Sequence, residues 1–448
     1  MTEQWFMKKA VGDETLVGKQ FGIDPKIARL LLNRGFRTAA AFQEYLRADE
    51  TCFHDPHSLK DADLCCAFLL SRIRSGKKIR IIGDYDVDGV TSTYIYLKML
   101  SDLGADVDFV IPHRIYDGYG IRMHMIEDAH ADGVEVILTC DTGISAYDET
   151  VRAKELGLTM LITDHHEVPF EEMNGQKVYK LPPADAIVNP KQEDCTYPQK
   201  GICGAVVALK VCMILCEKMH RQLPDELVEL AALATVCDVM DLVGENRALV
   251  KRGLLMMQNS SNLGLRTLIS LTVNRALSAY HLGFVIGPCF NASGRIETAV
   301  EAVKLLQAKD PAEAEALAIH LRDLNEERKQ MTQANLEAAI QQAEEYEEDK
   351  VLVLYLPECH ESLAGIVAGR VKEQTNKPTF VLTNAAGEVD ASLAVKGSGR
   401  SIEAYSMYEK LTEVSDLLTR FGGHPMAAGS SLPYENVDAF RRALNERS

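Results

Sequence analysis

Three aspartates spaced two residues apart follow an apolar run in Ile79-Arg80-Ile81-Ile82-Gly83-Asp84-Tyr85-Asp86-Val87-Asp88-Gly89. The β-branched run predicts a buried strand, and Gly89 predicts a turn into a helix that begins near Thr91. Residues at i and i+2 of an extended segment point to the same side, so these carboxylates can converge on one cation. Three acids in five residues repel one another without a cation, which favours a metal site over a simple Asx turn.

The same spacing matches the start of a calcium-binding EF-hand loop, but two features exclude that interpretation. The twelfth position of such a loop is the apolar Ile95 instead of the bidentate glutamate. In addition, the segment before the loop has the pattern of a strand, whereas an EF-hand loop follows a helix.

Apolar runs alternate with amphipathic stretches between residues 78 and 190, which predicts βαβ units and a mostly parallel sheet. Two further motifs follow predicted strands, namely Cys140-Asp141-Thr142-Gly143 and Thr163-Asp164-His165-His166. Ligands of such sheets bind at the carboxyl ends of the strands, where all of these acids are expected. The predicted strands span 79–82, 107–111, 134–139, 159–163 and 186–188, and the predicted helices include 91–103 and 146–156.

Carboxylates and imidazoles at successive strand ends indicate a metal site with more than one ion. Mixed carboxylate and histidine ligands suit manganese, with magnesium as the alternative. Carboxylates between two ions can bridge them at ~3.5–4 Å, the geometry of two-metal phosphate hydrolysis. In Asp164-His165-His166, one imidazole can bind metal while the acid fixes a tautomer, and the other can face the substrate. The predicted chemistry is therefore hydrolytic or phosphoryl transfer.

Composition restricts the classes of partner. A formal net charge of −17 argues against a protein that coats nucleic acid non-specifically, although bound cations and a local basic groove are compatible with a nucleic-acid enzyme. The eleven cysteines form no CxxC pair, which is typical of reduced thiols. The first residues have no signal-peptide pattern, and no apolar run approaches the ~18 residues that span a membrane. We expect a cytoplasmic protein without a membrane partner.

The 448 residues predict an α/β protein with two α/β domains joined by a long helix. Residues 311–348 carry the helix signal, with Asp310 as the cap and Pro311 in the first turn. A helix of that length and charge is expected to connect two domains instead of belonging to one core. The predicted ranges are a helical N-terminal region (1–60), a catalytic domain (61–305), the connecting helix (306–349) and a second domain (350–448).

The ordered set of motifs resembles the DHH phosphoesterase family, and within it the single-strand-specific 5′→3′ DNA exonucleases. The resemblance covers roughly residues 20–445. It is carried by the three acidic motifs above and by Ile111-Pro112-His113-Arg114, Gly287-Pro288-Cys289-Phe290-Asn291-Ala292-Ser293-Gly294-Arg295, Gly397-Ser398-Gly399-Arg400-Ser401 and Gly422-Gly423-His424. The resemblance implies two Mn²⁺ or Mg²⁺ ions and hydrolysis of single-stranded DNA to 5′-mononucleotides, in DNA repair and recombination.

The resemblance also implies a role for individual residues. The implied metal ligands are Asp84, Asp86, Asp88, Asp141, His165 and Asp238, and the implied catalytic residues are His166, Asp141 and Asp164. His166 matches the position that faces the scissile phosphate. The implied substrate residues are Arg114, Ser398 and Arg400 at the terminal 5′-phosphate, His424 on a glycine-flanked loop, and Asn291 and Arg295 along the cleft.

Several expectations follow from the family role alone. Single-stranded DNA is the expected partner, together with a single-strand-binding protein and a helicase. Bacterial members usually continue past the Gly-Gly-His domain with an OB-fold, whereas this sequence stops at Ser448, either as a truncated or as a naturally short form. An OB-fold supplies stacking platforms and a basic track, so affinity for long strands is left open.

Two other functions are compatible with parts of the sequence. The first is a DHH phosphoesterase that acts on short oligonucleotides, cyclic dinucleotides or pyrophosphate; those relatives are typically shorter and lack the N-terminal helices and the 287–295 segment. The second is a non-catalytic binding factor that retains the fold. The complete set of acids and histidines argues against this second alternative, because degenerate members lose ligands first.

Overall fold

Three short helices form the N-terminal region. The structure is a computed structural model that describes residues 6–9, 11–173, 176–385 and 394–447. The helices are α1 (Glu14–Phe21), α2 (Pro25–Asn33) and α3 (Ala39–Arg47). Each begins at a side-chain cap, and a small apolar cluster around Phe42 holds them together. The segment that begins with Arg34-Gly35 separates α2 from α3.

The next part of the chain builds a parallel five-stranded sheet with strand order β2-β1-β3-β4-β7. The predicted parallel sheet is thereby confirmed, while the exposed hairpin β5–β6 was not predicted. The elements are, in chain order, α4 (Ala62–Arg74), β1 (Ile79–Ile82), α5 (Val87–Asp102), β2 (Val107–Val110), α6 (Met123–Ala131), β3 (Val136–Cys140), α7 (Tyr147–Glu155), β4 (Thr159–Thr163), β5 (Phe170–Met173), β6 (Gln176–Tyr179) and β7 (Ala186–Val188).

The strand order places a crevice at the carboxyl ends of β1, β3 and β4. The chain runs from β1 outward to β2 and then crosses back to β3 on the other side of β1. Such a reversal opens the space outside the strand ends, where ligands of open α/β sheets bind. Asp84, Asp141 and Asp164 each follow one of these three strands directly or within two residues.

The start of α5 differs from the prediction. The helix begins at Val87 instead of near Thr91, because the side chain of Asp86 caps it by accepting a hydrogen bond from the Gly89 N–H at 3.1 Å. Asp88 therefore lies in the first helical turn, and the prediction of three acids on one extended segment was wrong. Glycine is needed at position 89 because the backbones of Gly89 and Asp84 pack closely: a Cβ at Gly89 would lie 2.4 Å from the Asp84 carbonyl oxygen.

A helical layer covers one face of the sheet. Buried side chains of α5, α8 and α9 form the centre of the largest apolar core. A π-helical segment, Leu282–Ile286, leads into α13. The helices of this layer after β7 are α8 (Gly204–Lys218), α9 (Asp225–Cys237), α10 (Gly244–Met256), α11 (Leu263–Thr272), α12 (Ala279–His281), α13 (Gly287–Ile296) and α14 (Val300–Gln307).

The longest helix, α15 (Pro311–Glu345), has 35 residues and extends about 52 Å at ~1.5 Å per residue. Its first half buries Ala318 and Leu321 in the core of the first domain. Its second half buries Leu336 and Ala339 in the core of the second domain. The predicted long helix is present and connects the two domains as expected, and small and branched side chains along its packed face contribute to both cores.

The second domain contains a five-stranded sheet of order β11-β12-β10-β9-β8, in which only the β8–β9 pair is parallel. Helix α16 packs against one face of this sheet, and α18 packs against the other. The elements are β8 (Leu352–Tyr355), α16 (Ala364–Thr375), β9 (Thr379–Asn384), β10 (Ala394–Arg400), α17 (Met407–Glu413), β11 (Arg420–His424), β12 (Ala427–Pro433) and α18 (Val437–Glu446).

The glycine-rich segments of this domain form strands, although the sequence favours loops there. Glycine is accommodated in β10 because neighbouring side chains fill the space: a Cβ at Gly397 would lie 2.4 Å from Leu382 Cδ2, and one at Gly399 would lie 2.6 Å from Phe380 Cε1. The loop predicted for His424 is accordingly the end of β11. Residues 386–393 and 448 of the predicted range 350–448, and residues 1–5 and 10 of the range 1–60, lie outside the described residues, and the four domain ranges stay predictions.

Among the helices that the structure describes, none combines the length and the apolar character that crossing a membrane requires.

Candidate metal centre and substrate cleft

Five carboxylates and one imidazole converge at the carboxyl ends of β1 and β3. The ring nitrogen Nε2 of His165 lies 3.0 Å from Asp141 Oδ1 and 3.6 Å from an oxygen of Asp88 and of Asp238. Two groups of side chains each bring their ligand atoms within 4.8 Å of one another, one made of Asp84, Asp86 and Asp141 and the other of Asp88, His165 and Asp238. Asp141 also groups with the two histidines, so it lies between the two sets.

The N-terminus of α8 holds Asp88 in place. The two carboxylate oxygens of Asp88 accept hydrogen bonds from the backbone N–H groups of Gly204 at 2.6 Å and Ala205 at 2.7 Å. The positive end of a helix dipole favours a carboxylate at this position. Gly204 is required for the approach, because a Cβ there would lie 2.7 Å from the Cβ of Asp141.

Asp238 reaches the cluster from the end of α9, far from any strand in the sequence. Its backbone N–H donates to the carbonyl of Ala234 and closes the last helical turn. The next residue, Val239, has a φ of 57°, a left-handed conformation that a β-branched side chain rarely adopts. This strained turn reverses the chain directly after the carboxylate, as is typical of functional sites.

The cluster has the properties of a cation site. Burial, followed by repulsion from Asp86, raises the pKa of Asp84 to about 8, and burial with repulsion from Asp88 raises the pKa of Asp238 to about 8. The pKa of Asp141 is raised well above its usual range by burial and by Asp88. Each of these three carboxylates has a buried oxygen that accepts no hydrogen bond from any described residue. Buried anions without donors need positive charge, so the residues present fit two divalent cations.

His166 stands beside the cluster and is held by Asp164. Its Nδ1 lies 2.7 Å from Asp164 Oδ1, and its Nε2 lies 3.0 Å from the hydroxyl oxygen of Tyr119. Burial opposes the charged imidazole, but the hydrogen bond and the charge of Asp164 outweigh it and raise the pKa of His166 to about 9. The ring is therefore cationic near neutral pH. The contact between Tyr119 and His166 could not be predicted from the sequence Asp117-Gly118-Tyr119-Gly120.

Three arginines from different parts of the chain meet across the cleft between the two domains. The guanidinium of Arg114 packs on the ring of Tyr85, 4.4 Å from its centroid. Burial and the charge of Arg114 lower the pKa of Arg295 to about 9, and the same two causes lower the pKa of Arg400. Like charges gathered in a cleft stabilise a bound anion, and their mutual repulsion is relieved when it binds.

Hydrogen bonds fix two of the cleft side chains. Arg400 donates from Nη1 to Ser398 Oγ at 3.1 Å. Arg295 donates from Nη1 to the carbonyl oxygen of Ser362 at 2.7 Å, and the Ser362 hydroxyl donates back to the Arg295 carbonyl. These paired bonds connect α13 of the first domain to the segment before α16 of the second. They set the width of the cleft at this point.

The structure gathers the predicted site residues into two neighbouring groups. The first comprises the predicted metal and catalytic residues Asp84, Asp86, Asp88, Asp141, Asp164, His165, His166 and Asp238. The second lines the cleft and comprises Arg114, Arg295, Ser398 and Arg400, with His424 in the same cross-strand row as Arg400. Asn291 lies half-buried on α13 one turn before Arg295, and its side chain makes no hydrogen bond to the described residues.

Two family models match the chain. The model described as the DHH family, N-terminal domain, matches residues 78–235, and the DHHA1 domain matches residues 348–447. The first match contains β1 through β7 and all of the acidic motifs except Asp238. The second contains the sheet that carries Ser398, Arg400 and His424.

Relatives and solved structures agree with this assignment. The single-stranded-DNA-specific exonuclease RecJ of Bacillus subtilis is 40% identical over 96% of the chain, and that of Escherichia coli is 32% identical over 100%. The chain spans 53% of the length of the first relative and 78% of the second. A crystal structure of exonuclease RecJ bound to manganese has 36% identity and a TM-score of 0.76, over 87% of this chain and 94% of that one. RecJ from Thermus thermophilus in complex with Mn²⁺ has 33% identity and a TM-score of 0.81, over 97% and 60%. The chain therefore belongs to the RecJ branch of the DHH phosphoesterase family.

Proposed function

We propose that the chain is a metal-dependent exonuclease that hydrolyses single-stranded DNA from its 5′ end and releases 5′-mononucleotides. The observation that carries the proposal is the convergence of five carboxylates and the imidazole of His165 in one cluster, in which Asp84, Asp141 and Asp238 each have a buried oxygen without a donor among the described residues. The names of the relatives, single-stranded-DNA-specific exonucleases, support the choice of substrate.

Two divalent cations, Mn²⁺ or Mg²⁺, are the proposed cofactors, in keeping with relatives crystallised with either ion. Asp84, Asp86 and Asp141 would hold one ion, and Asp88, His165 and Asp238 the other. When bound, the ions supply an activated water and neutralise charge on the phosphoryl oxygens.

The histidine beside the cluster would act on the substrate itself. Because Asp164 accepts from Nδ1, the other nitrogen of His166, Nε2, remains as a second donor, and it lies beside the Tyr119 hydroxyl. A cationic imidazole there stabilises negative charge on the scissile phosphate and can protonate the departing 3′ oxygen. Asp164 is thus proposed as the residue that positions His166 and keeps it charged.

The arginine group would define the polarity of digestion. A terminal 5′-phosphate held by Arg114, Ser398 and Arg400 places the following phosphodiester at the metal cluster, one nucleotide away. Arg295, Asn291 and His424 would contact the same strand along the cleft. A duplex end does not present its terminal nucleotide separately, so a cleft of this kind selects single strands.

The cellular role follows from the family alone. We propose a function in DNA repair and recombination in the cytoplasm, with a helicase that supplies single strands and a single-strand-binding protein that covers them.

The test is digestion of a single-stranded oligonucleotide labelled at its 3′ end, with Mn²⁺, with and without a 5′-phosphate. A duplex and a dinucleotide run in parallel. A ladder of shortening 3′-labelled products, favoured by the 5′-phosphate and absent on the duplex, is expected. Cleavage of the dinucleotide alone would indicate the short-substrate branch of the family instead.

Variants make the assignment specific. Asp141→Ala is expected to lose activity by at least about 10³-fold while its far-UV circular dichroism stays unchanged. Asp128→Asn, on the exposed face of α6, is the matched control and is expected to keep full activity. Normal activity of Asp141→Ala would refute the metal centre.

A further inference from the structure

The face of the second sheet that carries Ser398 and Arg400 has three parallel rows of side chains. Strand register places His424 and Arg400 in one row, on either side of Ala427. A second row contains Gly422, Gly429 and Ser398. Residues two apart on a strand share a face, so the rows lie side by side on the face that α16 partly covers.

A third row of polar residues borders the glycines on their other side. Register pairs Arg420 with Ser431, and Ser431 with Lys396. The glycine row is thus a trough of bare backbone between two rows with cationic side chains. It begins at Ser398 and runs across β12 to the edge strand β11, about 10 Å at ~4.8 Å per strand.

The trough opens into a cavity of about 470 Å³, lined among others by Lys396, Ser398, Arg420, Gly422 and Gly429. The two glycines do not serve backbone geometry or tight packing. A Cβ at Gly422 would meet no atom within 4 Å, and one at Gly429 would meet only the Gly397 carbonyl oxygen at 3.8 Å. Side chains would fit here and would fill the trough, so their absence keeps it open.

The cations of the trough are only partly neutralised. Lys396 pairs with Glu361 at 2.8 Å, at the end of the cavity near α16. The exposed side chain of Arg420 makes no ion pair or hydrogen bond with any residue that the structure describes. In a chain with a net charge of −17, an unpaired arginine at the mouth of a polar cavity indicates an anionic occupant.

We propose that this trough binds a polyphosphate extension on the 5′ end of the strand, so that the enzyme accepts 5′-triphosphate ends as well as 5′-monophosphate ends. The inference rests on the proposed function, because it starts from the terminal phosphate at Ser398 and Arg400. The outer phosphates follow the glycine row and end at Arg420. A chain of phosphates is narrow and needs cations along its sides. The exposed backbone between two polar rows therefore suits such a chain better than it suits a planar base.

The proposal fixes the reaction product. Water adds to the phosphorus of the first phosphodiester, the bond from that phosphorus to the 3′ oxygen of the first nucleotide breaks, and the oxygen leaves with a proton. The released molecule is a nucleoside 5′-triphosphate, and the remaining strand begins with a 5′-monophosphate. The anhydride bonds stay intact, so no pyrophosphate forms.

Binding and cleavage are measured on three oligonucleotides of one sequence with a 5′-hydroxyl, a 5′-monophosphate or a 5′-triphosphate. Fluorescence anisotropy in EDTA reports binding without cleavage. Wild type is expected to bind both phosphorylated ends more tightly than the hydroxyl end. Arg420→Gln is expected to weaken binding of the triphosphate strand about tenfold and binding of the monophosphate strand less than twofold. Only the longer phosphate end reaches Arg420. Arg442→Gln, an exposed arginine on α18, is the matched control.

A second variant tests the trough without removing charge. Gly422→Val fills the trough with a side chain that is favourable in a strand. This variant is expected to weaken binding of the triphosphate strand by about tenfold or more relative to binding of the monophosphate strand. With Mn²⁺, chromatography should detect a nucleoside 5′-triphosphate from wild type and little from either variant.

Two binding results overturn the inference: wild type binds the triphosphate strand no better than the hydroxyl strand, or Arg420→Gln weakens the binding of both phosphorylated strands equally. Failure of the proposed function has a different signature, since the monophosphate strand would then stay uncut in Mn²⁺. Cleavage of the monophosphate strand with refusal of the triphosphate strand rejects the trough alone.

Discussion

His166 is held by Asp164, with 2.7 Å between Nδ1 and Oδ1, and this contact keeps the imidazole charged against the effect of burial. Because the pKa of His166 is raised to about 9, the cation is present below that pH and is lost as pH rises through it. Activity is accordingly expected to fall on the alkaline side near pH 9.

The substitution Asp164→Asn removes the carboxylate that raises the pKa of His166, while His166 stays buried. The pKa of His166 should drop below about 9, and the alkaline limb of the activity profile should move to lower pH. Proton NMR titration of the metal-free protein, with His166→Gln to assign the resonance, measures the pKa directly. An unchanged His166 titration in Asp164→Asn would contradict the prediction.

Two acids of the site should have opposite effects on the stability of the metal-free protein. Asp164 accepts backbone hydrogen bonds from Ile144, His165 and His166, so Asp164→Ala leaves buried donors unpaired and should cost about 2–4 kcal/mol. The pKa of Asp141 is raised in the folded protein. Ionised Asp141 therefore destabilises the fold at pH values above the ordinary pKa of a carboxyl group.

Asp141→Asn should therefore stabilise the metal-free protein, by about 1–3 kcal/mol at pH 8 and less as pH falls. Urea unfolding in EDTA measures both variants. In Mn²⁺ wild type should instead be more stable than Asp141→Asn, because it gains stability from ions that the variant binds poorly. If Asp141→Asn were destabilised in EDTA, the account of unbalanced charge in the cluster would be wrong.

Selectivity for the 5′ end should depend on Arg400. Arg400→Gln is expected to raise KM for a 5′-phosphorylated strand by about 10- to 100-fold, with a much smaller effect on a 5′-hydroxyl strand, because a charge-assisted hydrogen bond to phosphate is lost. Steady-state kinetics on the two strands provide the comparison. Arg442→Gln should change neither KM, and an equal loss on both strands would argue against a phosphate contact.

Gly89 should tolerate no side chain. A Cβ would lie 2.4–2.6 Å from backbone atoms of Asp84, so Gly89→Ala must displace the loop that carries Asp84 and Asp86. We expect a loss of about 1–3 kcal/mol in stability and weaker Mn²⁺ binding in calorimetry. Gly201→Ala is the control, since a Cβ there meets nothing within 4 Å. Normal metal binding by Gly89→Ala would show that the loop adapts.

A pH-dependent contact lies far from the metal centre. His57 bonds to Asp63 at 2.6 Å and to Glu217 at 3.0 Å, and these bonds raise its pKa above 6.5. The stabilisation is fully present below pH 6.5 and is lost as pH rises through the pKa of the folded state. The melting temperature of His57→Gln should be lower than that of wild type at about pH 6, and the two should approach one another at about pH 9. A difference that grows with pH would contradict this assignment.

The metal centre was largely predictable because it follows the parallel sheet. Strand ends of a parallel sheet meet at one edge, so acids after β1, β3 and β4 had to lie close together. Asp238 was available only through the family resemblance, since it sits at the end of a helix and reaches the cluster through a strained turn at Val239.

The parts that were wrong share a physical cause. The sequence around Gly89 was interpreted through the flexibility of glycine, whereas the structure uses Gly89 for the close approach of Asp84. Close approach is a tertiary property, and a single sequence does not contain it. The same holds for the contact between Tyr119 and His166, which joins residues 47 positions apart.

Helix α15 has a consequence for how a strand can enter. One rigid rod supplies apolar side chains to the cores of both domains, and Arg295 and Ser362 join the domains a second time beside the cleft. The two domains are therefore joined both through the packed side chains of α15 and through hydrogen bonds beside the cleft, which opposes their separation. We therefore expect a single strand to enter the cleft by its free end, and we predict that a covalently closed single-stranded circle is not cleaved.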